Sequence, residues 1–260
     1  MKIFIITQEE SFYLPTFLQT VLAKRSQDIV GITILPLTMP KKGWVTTIHE
    51  HFQLYGLTTF LRQGTRFAYY RGLSTVERLI PLQRFYSVAA VARHYRLPVY
   101  PTARINSSSY LSALEGLEPD VILSINASQV FKYPLLEIPR LGCINVHGAL
   151  LPQYRGRLPS FWTLLNGDEE TGATVHYMND RLDDGPIIAQ RRVKIDPGET
   201  QDSLIAKTKR LGAELLIESL DRLEQGEVET VSNDRSQATY YSFPTPLDGQ
   251  KFRHLGLRFL

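Results

Sequence analysis

The sequence predicts an α/β protein built on a doubly wound, mostly parallel sheet. Short apolar runs alternate with longer segments of helical periodicity, and several runs are apolar on both faces, as strands covered by helices on both sides must be. This alternation of strand and helix is typical of doubly wound sheets. The chain has 260 residues, of which 43% are hydrophobic and 21% are charged. It can therefore bury a sizeable core, and a mainly disordered protein is excluded.

The apolar runs and helical spacings predict the elements in chain order. Between the first two strands, apolar residues recur at helical spacing over 13–24, which predicts a first helix. A long amphipathic helix is predicted after Thr200, because leucines from Leu204 to Leu223 share one face and Gly226 provides a stop signal. The predicted strands span residues 2–6, 29–35, 98–100, 121–125, 142–147, 174–178 and 186–193.

The segment 41–104 differs from the rest of the chain in its charge. It contains ten Lys or Arg residues against only Glu50 and Glu77, a local balance of +8, with aromatic residues scattered through it. We expect a basic, aromatic-rich helical insertion at 41–97 within a main domain at 1–228, followed by a short C-terminal extension at 229–260 with strand-like runs. The insertion has either a solvated charged face or an electropositive surface for a phosphate-bearing partner.

Several classes of protein are excluded by what the sequence lacks. Cys143 is the single cysteine, so a disulfide scaffold is excluded and a reducing compartment is indicated. No apolar run approaches the ~20 residues of a membrane span, and the first run is shorter than a signal-peptide core. We therefore expect a cytoplasmic protein that does not enter a membrane. The nucleotide-binding glycine motifs, the GxSxG motif and a plausible metal-ligand set of histidines are all missing from the sequence.

One pair of polar residues stands at the end of a predicted strand. Asn145 and His147 are two residues apart, so both side chains leave the same face, roughly 6–7 Å apart along the strand. Ligands of open parallel sheets collect beyond the carboxyl ends of the strands. An acid in the turn-rich loop at 179–185 could pair with His147 and fix its tautomer. From spacing alone, the alternative is a core histidine, an asparagine turn and an unrelated acidic loop.

The two segments together resemble the folate-dependent formyltransferase family. The resemblance rests on Asn-x-His followed by Leu-Leu-Pro at 145–152, and on Leu-Asp-x-Gly at 182–185. The family includes glycinamide ribonucleotide transformylase, methionyl-tRNA formyltransferase and enzymes that N-formylate nucleotide-linked amino sugars. The similarity is dense over 121–190, looser over 1–35, and poor across 41–104 and the tail. It implies a Rossmann-like formyltransferase fold.

The resemblance also implies the roles of individual residues. The catalytic residues are expected to be Asn145, His147 and Asp183, where the Leu-Asp-x-Gly register selects Asp183 over its neighbour Asp184. The co-substrate is expected to be 10-formyl-tetrahydrofolate, without a metal. Its pterin pocket, formed largely by backbone, is expected from Ser128, Gln129 and Val130 with Phe131, and from Asn179, Asp180 and Arg181 with Leu182.

The resemblance is less specific about the amine that accepts the formyl group. The run from Tyr154 to Pro159, followed by Phe161-Trp162, is similar to the amino-sugar branch, so a nucleotide-linked amino sugar is expected. Arg155 and Arg157 would either meet a substrate phosphate or only hold their loop. The alternatives are methionyl-tRNA, glycinamide ribonucleotide, or a non-catalytic folate- or nucleotide-binding protein. A small, phosphate-bearing amine is favoured over nucleic acid as the partner, and a homodimer is left open.

Overall fold

The structure is a computed structural model that describes residues 1–36, 44–80 and 82–260, with the backbone alone for Trp44. Lys41 and Lys42 of the basic segment lie outside these residues. The strands are β1 (Ile3–Gln8), β2 (Ile29–Leu35), β3 (Val121–Ile125), β4 (Cys143–His147), β5 (Arg155–Gly156), β6 (Glu170–Tyr177), β7 (Ile187–Lys194) and β8 (Tyr240–Tyr241). The helices are α1 (Leu14–Arg25), α2 (Trp44–Tyr55), α3 (Leu57–Val76), α4 (Val88–His94), α5 (Ser108–Glu115), α6 (Tyr133–Leu136), α7 (Pro159–Asn166), α8 (Gln201–Gln225) and α9 (Pro246–His254).

Six of these strands form one central sheet in the order β2-β1-β3-β4-β6-β7. The first four strands are parallel, and β6 and β7 are antiparallel to their neighbours. A second sheet pairs β5 with β8 in parallel. The predicted α/β fold with a mostly parallel sheet is therefore confirmed. The carboxyl end of β4 lies in the interior of the sheet, where this class of fold binds ligands.

Helices cover both faces of the central sheet. One face packs against α1, α4 and α8 in a single apolar cluster that includes Ile3, Ile5 and Leu216. The other face packs against α5 and α6, and its cluster includes Phe131 and Cys143. Because side chains alternate along β4, Asn145 and His147 share the face of Cys143. The candidate site therefore lies on the α5 and α6 side of the sheet.

The two predicted helices form for recognisable local reasons. The Glu10 carboxylate accepts hydrogen bonds from the backbone N–H groups of Phe12, Tyr13 and Leu14, and so caps the start of α1. Helix α8 begins with a reciprocal capping box between Thr200 and Ser203. Most of its predicted apolar face, from Leu215 to Leu223, is buried against the sheet. Leu204, at its start, packs instead in an apolar cluster with α2, α7 and α9.

The predicted strand at 98–100 was wrong. Val99 makes one parallel bridge to Ile32 at the edge of the sheet, with Ile32 donating to Pro98 O and Tyr100 donating to Ile32 O, both at 2.9 Å. The pairing does not extend further along the chain. These three apolar residues have the local pattern of a strand, but they do not form the continued series of backbone hydrogen bonds that defines one.

The insertion is helical, as predicted, and it packs against the C-terminal tail. Helix α2 contacts α9, which the strand-like pattern of the tail did not predict. A Cβ at Gly249 would lie 2.3 Å from Leu54 O, so only glycine permits this approach of the two backbones.

The exposed surface of α3 carries arginines among apolar side chains. Within the described ranges, no helix is both long and apolar enough to cross a bilayer.

Candidate active site

Strand β4 places Asn145 and His147 beside a second histidine on β6. The antiparallel register pairs Asn145 with His176 and His147 with Thr174. Directly opposed residues of an antiparallel pair project from the same face. These four polar side chains therefore lie on one face of the sheet.

His147 is buried, and both of its ring nitrogens face polar groups. Nε2 lies 2.8 Å from the carbonyl oxygen of Tyr154, and Nδ1 lies 3.7 Å from Oδ2 of Asp183. A carbonyl oxygen can only accept, so Nε2 carries the proton and donates it. The tautomer is thus set by Tyr154, whereas the sequence predicted that an acid would set it. The Asp183 contact is longer than a hydrogen bond and is an ion-pair distance.

The two adjacent acids, Asp183 and Asp184, point to different partners. Oδ2 of Asp183 accepts from the backbone N–H of Gly156 at 2.8 Å, beside the His147 ring. The Asp184 carboxylate instead pairs with Arg155 at 2.5 Å and with Arg235 at 2.6 Å. These two arginines hold the pKa of Asp184 below its usual range, the Arg235 contact contributing most. Of the two acids, Asp183 is the one that faces the imidazole.

His176 is a site residue that the sequence analysis missed. Its Nδ1 lies 2.8 Å from Tyr177 O and therefore donates, so its Nε2 accepts from the Asn145 amide at 3.1 Å. Burial lowers the pKa of His176 to about 4, and Asp183, whose Oδ1 lies 3.8 Å from Nε2, opposes that shift. The ring is therefore neutral near pH 7 and orients the Asn145 amide. Only the register between β4 and β6, which is not readable from periodicity, shows this contact.

We expect the stability of the protein to fall as the pH is lowered from about 6.5 toward 4. The folded-state pKa of His176 is depressed to about 4 from 6.5, so the unfolded chain binds a proton first and acidification favours unfolding across that window. His176→Gln retains an acceptor for Asn145 but does not titrate. Urea unfolding at several pH values should therefore show a shallower acid-side decline for this variant. Equal declines in both proteins would contradict the assignment.

The residues predicted to contact the co-substrate lie on two loops. The loop at 128–131 follows β3, and the loop at 179–182 follows β6. Gln129 accepts from Ile105 N at 3.2 Å and donates to Ala103 O at 3.0 Å, so its side chain is engaged with the protein. Six of the other predicted contact residues are exposed or half-buried: Ser128, Val130, Asn179, Asp180, Arg181 and Leu182. Phe131 is instead buried in the apolar cluster beneath the sheet face. This leaves the Val130 side chain of the first loop accessible to a ligand.

The structure places the two predicted substrate arginines in different surroundings. Arg155 is buried, and its terminal nitrogens bind Asp184 and Asn233, at 2.5 and 2.7 Å. Of the two roles expected for Arg155, contact with a substrate phosphate or support of its own loop, this geometry fits support of the loop. Arg157 is exposed, and its guanidinium lies 5.1 Å from the centre of the Phe243 ring. Of the pair, only Arg157 is accessible to a ligand.

Lys209 is a further cation that the sequence analysis did not single out. Its ammonium lies 5.8 Å from the centre of the Phe17 ring, and burial lowers its pKa, opposed by the charge of Glu10. In the described part of the chain it makes no hydrogen bond or ion pair. Its neighbour Thr208 lies beside Gly148, which directly follows His147.

No group of His, Cys, Asp and Glu side chains among the described residues is arranged to hold a metal ion.

Comparison with known sequences places the chain among formyltransferases. The model of the formyl transferase family matches residues 75–220. Methionyl-tRNA formyltransferase of Kosmotoga olearia is 39% identical over 164 residues, which are 63% of this chain and 51% of that protein. The enzyme of the same name from Thermotoga maritima is 40% identical over 153 residues, 59% of this chain and 49% of that one. The chain spans about half the length of the curated relatives it matches.

Solved structures share the fold at low sequence identity. The N-formyltransferase from Helicobacter canadensis, in complex with folinic acid and dTDP-3-aminofucose, has a TM-score of 0.60 at 16% identity, over 93% of this chain and 71% of that one. Glycinamide ribonucleotide transformylase 1 from Symbiobacterium toebii also has a TM-score of 0.60, at 15% identity, over 89% and 94% of the two chains. Since the family model matches more than half of its residues, the chain belongs to the formyl transferase family.

Proposed function

We propose that the protein transfers a formyl group from 10-formyl-tetrahydrofolate to a primary amine. The observation that carries this proposal is the convergence of Asn145, His147 and Asp183 at the carboxyl end of β4 in a chain of this family. An amide donor, an imidazole and a carboxylate supply what acyl transfer to nitrogen requires. The two loops at 128–131 and 179–182 are proposed to hold the pterin ring of the co-substrate.

Each proposed catalytic group has a distinct task. The amine must attack as its free base, and the formyl oxygen gains negative charge as the new C–N bond forms. The Asn145 amide gives one N–H to His176, so its other N–H is available to that oxygen. His147 is the group that carries the proton from the attacking amine to the departing folate nitrogen as the old C–N bond breaks. Asp183 orients the imidazole and balances its charge while it holds that proton.

The amine that we propose is the amino group of a nucleotide-linked amino sugar. Exposed Arg157 is suited to a substrate that bears phosphate, and so is Lys209, which makes no hydrogen bond or ion pair with any described residue. Proteins of similar fold include a sugar 3N-formyl transferase solved with dTDP and 5-N-formyl-THF, with a TM-score of 0.59 over 93% of this chain. That likeness, at 18% identity, concerns the fold alone, so the sugar substrate is a proposal.

Methionyl-tRNA is the second candidate substrate. The relatives at 39–40% identity are methionyl-tRNA formyltransferases. Helix α3 and the turn after it expose Arg62, Arg71 and Arg78. If the arginines bind RNA phosphates, formylation of methionyl-tRNA should decline steeply with added salt, because phosphate contacts release counterions. Formylation of a sugar nucleotide should depend on salt much less.

A mass-spectrometric screen tests the proposed function directly. The purified protein is incubated with 10-formyl-tetrahydrofolate and, in separate reactions, amino-sugar nucleotides, glycinamide ribonucleotide and methionyl-tRNA. We expect the mass gain of one formyl group on an amino-sugar nucleotide. A gain only on methionyl-tRNA or on glycinamide ribonucleotide would overturn the substrate class. Folate binding without turnover of any amine would indicate a non-catalytic binding protein.

Arg157→Ala tests the proposed phosphate contact. Loss of one charge-assisted hydrogen bond should raise the KM of a phosphate-bearing amine by about tenfold, with little change in kcat. Steady-state kinetics with each substrate varied in turn measure this effect. Lys251→Ala removes an exposed cation from α9 and serves as the matched control. An equal rise in the KM of the folate co-substrate would show that Arg157 acts on the loop instead.

A further inference from the structure

A segment near the C-terminus crosses the outside of the candidate site. We call residues 231–241 the C-terminal strap. At one end, Val231 and Ile187 of β7 exchange two backbone hydrogen bonds, at 2.8 and 2.9 Å. At the other end, Tyr240 and Tyr241 of β8 pair with β5. The strap is thus anchored on both sides of the loop that carries Asp183.

Between these anchors, Asn233 inserts a buried amide into the Asp183 loop. Asn233 is 7% exposed, and both its amide nitrogen and its amide oxygen are hydrogen-bonded. Nδ2 donates to the carbonyl oxygens of Asp183 at 2.9 Å and of Gly185 at 3.0 Å, and Oδ1 accepts from Arg155 at 2.7 Å. Both donor hydrogens of the amide are therefore used, and its oxygen has an arginine partner.

The Asp183 loop needs such support because its backbone is unfavourable. Asp183 has φ = +51°, in the left-handed region that residues with a Cβ rarely adopt. A conformation of this kind persists only where the surrounding structure enforces it. Asn233 binds the carbonyls of Asp183 and Gly185, and Arg235 of the same strap pairs with the intervening Asp184. The strap therefore contacts three successive residues of this turn.

We propose that Asn233 is a positioning residue that keeps the Asp183 carboxylate beside His147. The Asn233 side chain bonds to Asp183, Gly185 and Arg155, and its effect on the carboxylate passes through the backbone of the turn. Only the catalytic consequence rests on the proposed function, because the position of the carboxylate is a property of the folded protein. The inference can therefore be tested with and without turnover.

Hydrogen exchange at Gly156 measures the position of the carboxylate without substrate. The Gly156 N–H donates to Oδ2 of Asp183 at 2.8 Å and is protected while that carboxylate stays in place. Asn233→Asp has the same shape and still accepts from Arg155, but it cannot donate to the two carbonyls. We expect this amide to exchange about tenfold faster or more in Asn233→Asp and in Asn233→Ala. Unchanged exchange in both variants would overturn the inference.

A neighbouring residue supplies the matched control. Asp234 bonds to Ser236 and Gln237 of its own turn and to nothing in the Asp183 loop among the described residues. Asp234→Ala should therefore leave Gly156 exchange and the rate of formyl transfer unchanged. Faster exchange in this variant, equal to that in Asn233→Asp, would show a general loosening of the strap and would also overturn the role of Asn233.

Kinetics then separate positioning from mere structural support. With the amine that the unsubstituted protein formylates best, Asn233→Asp should lower kcat by about 10²-fold with KM unchanged, the size of effect that a small misplacement can produce. In an Asp183→Asn background the same substitution should cause no further loss. A full further loss, or a change in KM alone, would overturn the proposal. If the unsubstituted protein formylates no amine, the proposed function fails, and the Gly156 exchange result still decides this inference.

Discussion

His147→Asn is expected to lower kcat for formyl transfer by about 10²–10⁴-fold, the usual contribution of a positioned proton-transfer group. Asparagine is polar and smaller than histidine, so it fits the buried position, but it cannot accept and release a proton near neutral pH. The substitution also removes the imidazole that lies 3.7 Å from the Asp183 carboxylate. Initial rates with 10-formyl-tetrahydrofolate and the best amine of the screen measure the loss, and circular dichroism checks the fold.

A second histidine substitution controls for nonspecific effects. His254→Asn changes an exposed residue at the end of α9, far along the chain from β4, and should leave kcat unchanged. Rates for His147→Asn that match those of the unsubstituted protein would exclude the proposed proton-transfer role. A large fall in thermal stability together with the rate would instead identify His147 as a structural residue.

Asp184→Asn is expected to destabilise the protein by about 3 kcal/mol, because it removes one partner of a buried ion pair. The Asp184 side chain is 2% exposed and binds both Arg155 and Arg235. The substitution leaves the buried Arg155 guanidinium without a compensating carboxylate, and its Nε already lacks a partner in the described part of the chain. Urea unfolding at pH 7 measures the change in the free energy of unfolding.

Two controls define what the Asp184 result means. Glu170→Gln breaks an ion pair to Arg192 on the surface, where both side chains are well exposed, and should cost less than about 1 kcal/mol. Asp183→Asn changes the adjacent acid and should affect kcat far more than stability. Destabilisation of Asp184→Asn no greater than that of Glu170→Gln would contradict a stabilising role for the buried pair. A loss of kcat at full stability would instead assign the catalytic role to Asp184.

The main strands and the two long helices could be predicted because their patterns are local. Apolar runs predicted β1 to β4, and helical spacing predicted α1 and α8, to within a few residues. The same local logic placed Asn145 and His147 on one face of a strand. It failed at residues 98–100, where the apolar run lacks a ladder. In the tail it predicted strand-like runs, of which β8 forms, but it missed α9, whose Phe252 packs into a distant apolar cluster.

The sequence by itself predicted the type of sheet and showed that Asn145 and His147 lie on the same face of a strand. It also contained the motifs that resemble one family. Only the tertiary structure decided which partners these residues have. Asp183 reaches His147 across a loop, His176 meets Asn145 through strand register, and Arg155 joins Asn233, 78 positions away. The physical reason is that periodicities of two and 3.6 residues report which face a side chain occupies. The neighbours on that face depend on how distant segments pair and pack.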